Sequence, residues 1–124
     1  MIIKTKCLFL TLLTSILVVG CSAHPGSGIW VPVEGSESPY SRIEVLFEGR
    51  AELFVADREE HLFRCFWGGT TANTISMDCI SADDATQKPL FTLQVAADGT
   101  GKLSEAGKNL GLFQRTEQRP TREE

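Results

Sequence analysis

Four cysteines and two histidines are the side chains of this 124-residue sequence best suited to chemistry: Cys7, Cys21, Cys65, Cys79, His24 and His61. Thiols can pair, bind metal or attack carbonyls, and an imidazole can carry a proton. Their spacing narrows the choice. Cys65 and Cys79 have no CxxC and no second pair beside them, which is poor spacing for zinc. His61 ends the run "ADREEH", close to Asp57, Glu59 and Glu60, where a solvated charged turn explains the residues better than an acid–base site does. His24 sits among small residues and reads as a solvated side chain. Asp83-Asp84 is not followed by calcium-loop spacing. Ser27, Ser41 and Ser76 lack a GxSxG setting. "DGTG", Asp98 to Gly101, has no phosphate-loop lysine at the right offset and reads as a turn. No catalytic set emerges. The chain is expected to be no enzyme and to carry neither cofactor nor metal.

The N-terminus has a different character. Lys4 and Lys6 precede an apolar run from Cys7 to Val19, with Gly20 and Cys21 after it. A basic start, a short apolar stretch and a small residue at its end form a secretory signal. The run falls short of the roughly 20 residues a spanning helix needs. Val18-Val19-Gly20-Cys21 resembles the lipobox of bacterial lipoproteins, although leucine is commoner than valine at its first position. The resemblance implies diacylglycerol on the Cys21 sulfur, cleavage before Cys21 and acylation, such as palmitate, of the new amino terminus. Two or more acyl chains anchor a protein stably where one does not. Ser22 follows in place of the aspartate that in this family favours inner-membrane retention. The implied address is the bacterial cell envelope, on the outer membrane facing the periplasm. Ser22 to Gly28, "SAHPGSG", reads as a short flexible tether.

With Cys7 removed and Cys21 acylated, Cys65 and Cys79 remain. In an oxidising compartment such a pair is most simply a disulfide, with a metal site and a nucleophile as rivals. The pattern supports pairing. In "EHLFRCFWGG" Phe63, Cys65 and Trp67 share one face, and in "NTISMDCI" Ile75, Met77 and Cys79 do. A hairpin turning around Thr70 to Asn73 sets Cys65 opposite Cys79 and Trp67 opposite Met77.

Similar alternation runs through the rest of the body. Ile43, Val45 and Phe47 fall on one face, then Ala51, Leu53 and Val55 after a turn near Glu48-Gly49-Arg50. Phe91, Leu93 and Val95 lead into Asp98-Gly99, a hairpin signal, with Leu103 on the return. "GIWVPV" and "NLGLFQR" make first and last strands, and Pro32 suits an edge or strand end. Ser81 to Lys88 is a loop or one helical turn. The fold class expected is all-β: a small antiparallel meander barrel or sandwich of about seven to eight strands with one disulfide. The organisation expected is a signal peptide over 1–20, lipidated cysteine and tether over 21–28, β domain over 29–115 and disordered tail over 116–124.

Charge excludes some partners. The net charge is −4, and without Lys4 and Lys6 ten basic residues face sixteen acidic ones, a net −6. An acidic body without a basic cluster argues against nucleic acid and against electrostatic docking on anionic lipid.

Gly28-Ile29-Trp30 resembles the GxW signature of lipocalins. That family's tryptophan closes the barrel floor against an arginine near the end of the last strand, a part that Arg115 would take here. Trp30 reads equally well as an ordinary core aromatic, and the chain is short for that family. On the opposite face from the core set lie Leu46, Phe54, Leu62 and Phe66. Together they form either an apolar interaction patch or a covered second layer. The function expected is therefore a membrane-tethered envelope lipoprotein whose β domain binds a protein or cell-envelope component. The alternatives are a lipocalin-like carrier of a small apolar ligand and an inhibitor of an exogenous hydrolase. Its partners would be the bilayer, through acylated Cys21, and an unidentified envelope protein or small ligand.

Overall fold

A computed structural model describes residues 23–117. The signal peptide expected over 1–20, the acylation expected at Cys21 and residues 118–124 of the expected tail lie outside the described residues; Thr116, expected to begin that tail, instead ends the last strand.

Alternating apolar and polar residues become eight strands: β1 (Gly28–Pro32), β2 (Arg42–Val45), β3 (Arg50–Phe54), β4 (Phe63–Thr71), β5 (Thr74–Ser81), β6 (Leu90–Val95), β7 (Gly101–Glu105) and β8 (Lys108–Thr116). Each pairs antiparallel with the next, and β8 pairs back onto β1, so the sheet is a closed meander barrel and not a sandwich. Closure leaves no strand edge open. Eight strands enclose a space just wide enough for side chains to fill. Here Trp30, Ile43, Leu53, Ile75, Met77, Phe91, Leu93, Leu103 and Phe113 fill it, all fully buried. Pro32 ends β1, where its missing N–H costs the ladder little.

Local chemistry sets the turns. Asp98 Oδ1 accepts from the Thr100 N–H at 3.0 Å and the Thr100 hydroxyl at 2.8 Å, closing the β6–β7 hairpin. Ala106 and Gly107, with φ of 52° and 81°, make the tight β7–β8 turn. Ser81 closes β5, and Ala82 to Lys88 form a loop without a helical turn. The Ser81 hydroxyl accepts there from the Asp83 and Asp84 N–H groups at 3.1 and 3.3 Å.

Two expectations are corrected. Phe47 does not join Ile43 and Val45 inside; it is 80% exposed. The β2–β3 turn begins at Leu46, whose N–H donates to the Arg50 carbonyl at 2.7 Å, so the strand stops one pleat early. The tether is also shorter than its composition implied. β1 starts at Gly28, and the chain already packs against the barrel at His24.

Candidate functional site

The cysteine pair spans two neighbouring strands. Cys65 and Cys79 are directly opposed across β4 and β5, with Cα atoms 4.0 Å apart and a disulfide between them. The Cys79 N–H donates to the Pro89 carbonyl at 3.0 Å, away from β4. The cysteines are therefore a non-hydrogen-bonded pair, the kind with the shorter Cα separation. Both are buried, so the bond staples the core and offers no open thiol chemistry.

Arg115 stacks over Trp30 at the end of the barrel where the N-terminal segment packs. They are register partners across the β1–β8 seam, and the Arg115 guanidinium carbon lies 4.8 Å from the Trp30 ring centroid. Arg115 also donates to the Pro25 carbonyl, and Trp30 Nε1–H donates to the Gly26 carbonyl at 2.9 Å. Gly28 has φ 124°, and a Cβ there would meet the Arg115 stem at 3.1 Å. A Cβ on Gly101 would come within 3.0 Å of the Trp30 ring. Both glycines make room for the stack.

His24 belongs to this same end. Its Nδ1 accepts from the Gly26 N–H at 2.9 Å, leaving Nε2–H to donate to the Thr71 carbonyl at 2.8 Å. The ring stands edge-on to Trp67 with centroids 6.1 Å apart, and it lies so close over Gly69 that a Cβ there would be 2.8 Å away. The solvated histidine expected from composition is instead a latch that fixes residues 24–28 to β4. Its partner lies 47 positions away in the chain, beyond the reach of any local pattern.

The four outer-face residues do not gather into one apolar patch. Phe54 is opposite Arg42 on β2, whose guanidinium covers its ring at 3.8 Å. Arg42 is held there by Glu44 at 2.7 Å, and Phe54 is only 5% exposed. Leu62 packs partly against the core, and Leu46 is half-buried in its turn. Phe66 alone of the four projects, 72% exposed. The exposed aromatic that the pattern missed is Phe47. The turn residues Glu48-Gly49 directly after it were its only sequence sign.

The charged residues make local ion pairs. Arg58 forks onto Asp83 at 2.8 and 3.0 Å, joining two loops at the far end of the barrel, and holds the Asp83 carboxyl below the usual carboxylate range. The Thr86 hydroxyl and N–H do the same for Asp84. His61 Nδ1 is 3.5 Å from a Glu52 carboxylate oxygen, and its ring is edge-on to Phe54. Burial, then the nearby Glu105 charge, pushes the Tyr40 phenol up. No group of three or more His, Cys, Asp or Glu converges as a metal cage among the described residues. A surface groove of about 490 Å³ runs between residues 33–37 and the β8 residues Asn109, Gly111 and Leu112. No family model matches the chain, nor does any curated protein or solved structure.

Proposed function

We propose that the chain is a lipid-anchored protein of the bacterial cell envelope whose small barrel binds a protein or cell-envelope component with its outer surface. The observation that carries the binding part is the filled interior. Trp30, Ile75, Met77, Phe91 and Phe113 occupy the space a carried ligand would need, so recognition falls to the outer wall and loops. The inhibitor role is the case in which that partner is an attacking hydrolase. The anchor rests on the lipobox residues Val18 to Cys21, and the outer-membrane address on Ser22.

Two measurements test this. Metabolic acyl labelling should be lost in Cys21→Ser, and unchanged labelling would overturn the anchor. Crosslinking of the full chain in its native membranes, with the partner identified by mass, should yield one specific adduct that changes of exposed wall or loop residues abolish. Recovery of a small apolar molecule from the barrel, with no adduct, would support the carrier reading instead.

A further inference from the structure

We propose that the barrel end carrying the 46–49 turn lies against the phospholipid surface, with the Phe47 and Phe66 side chains seated at the boundary between headgroups and acyl chains. The inference deepens the anchor reading and rests on it.

Chain length sets how far the barrel can stand off. Cys21 is three residues before His24, and His24 is latched to the Thr71 carbonyl. Three peptide units span at most about 11 Å. An acylated Cys21 therefore holds this end of the barrel at the membrane with no room for a spacer. The rim beside the exit point is apolar. His24 stands against Trp67 at 6.1 Å, and Trp67 Nε1–H donates to the Leu46 carbonyl at 2.7 Å, which places the turn bearing Phe47 next to the anchor. Phe66 adjoins Trp67 and is paired with Arg50, at the start of the strand that leaves that turn. Phe47 and Phe66 are the two most exposed large apolar side chains among the described residues. Aromatic rings at such a rim favour the amphipathic boundary zone.

Charge is distributed to match. At the far end, the loops over 33–41, 55–62 and 82–89 carry seven carboxylates against Arg58 and Lys88. At the anchor end, residues 23–27, the turns over 46–49, 72–73 and 96–100 and the residue after β8 carry three carboxylates, Glu48, Asp98 and Glu117, and Glu48 is paired with Arg50 at 2.6 Å. An anionic leaflet repels the acidic end and tolerates the other, so the field and the aromatic rim orient the barrel the same way. Overall charge argues against adsorption by electrostatics alone, and the contact proposed is apolar and covalently tethered.

The test uses the full chain, purified in its acylated form and reconstituted in vesicles of phosphatidylethanolamine and phosphatidylglycerol. Intact mass reports the acyl groups. Single spin labels are placed at Phe47→Cys, at Ala72→Cys, which leaves both phenylalanines in place, and at Glu59→Cys on the far loops. Labels at 47 and 72 should be severalfold less accessible to a water-soluble nickel relaxant than the label at 59, and the label at 47 should gain accessibility to oxygen. Equal nickel accessibility at all three sites in a chain of acylated mass overturns the docking and leaves the anchor standing. Shielding at 72 without shielding at 47 overturns the insertion of Phe47. A mass without acyl groups overturns the anchor, and the docking with it.

Discussion

Arg115 and Trp30 are directly opposed across the seam that closes the barrel, and the guanidinium rests 4.8 Å from the indole centroid. The contact joins the last strand to the first, so it reports on closure itself. Arg115→Ala removes the stack and the bond to the Pro25 carbonyl together. It should cost about 1 kcal/mol in urea unfolding, the size of an exposed cation–π contact. Trp30→Ala removes a fully buried core ring and should cost roughly 3–5 kcal/mol. Gly101→Ala presses a methyl on the same ring and should cost about 1–3 kcal/mol through overpacking.

The disulfide closes a short loop within one hairpin. Replacing Cys65 and Cys79 together by serine should lower unfolding free energy by about 3 kcal/mol, following the chain-entropy cost of a loop of that size. Thiol titration of the wild-type chain under denaturing but non-reducing conditions should find neither cysteine free. Two titratable thiols at these positions would contradict the bond.

Phe54 and Phe66 lie on the same outer face but differ in cover, so the same substitution should separate them. Phe54→Ser strips the ring from beneath Arg42 and should destabilise by roughly 3 kcal/mol or more. Phe66→Ser removes an exposed ring and should stay within about 0.5 kcal/mol. Equal losses in thermal unfolding would mean that both rings are covered in solution.

Three exposed carboxyls, Asp83, Asp84 and Asp98, titrate below their ordinary value of 3.8, through Arg58, Thr86 and Thr100 respectively. As pH falls through 3.8 the unfolded chain takes up these protons while the folded chain resists. Their contribution is thus complete above that pH and is lost as pH drops through the lower folded values. Denaturation midpoints followed from pH 6 to pH 2 should fall in the acid limb, and Asp83→Asn should flatten that limb. An unchanged limb would mean that the Arg58 fork does not form in solution.

Much of this architecture is written in a period of two. Apolar residues at alternate positions from Ile43 to Phe113 mark the strands, and Gly and Asp at Asp98-Gly99 mark a hairpin. The cysteine register followed from the same rule, because a short turn leaves only one parity in which both thiols face the core. Alternation assigns a face and says nothing of what covers it. Phe54 and Phe66 carry the same parity, and the cover that Arg42 and His61 give Phe54 separates buried from bare. Phe47 carries the core parity and points to solvent, since backbone bonding between Leu46 and Arg50 decided where the strand ended.

By itself the sequence determined an all-β chain, its strand parity, its cysteine pairing and a lipobox-like start, because each of these depends on residues close together in the chain or on a strict spacing. The tertiary structure alone decided that the sheet closes as a barrel, that His24 latches the N-terminal segment, and which aromatic rings remain in the open. These depend on contacts between residues dozens of positions apart, and packing free energy, summed over neighbours that no local pattern names, selects among them.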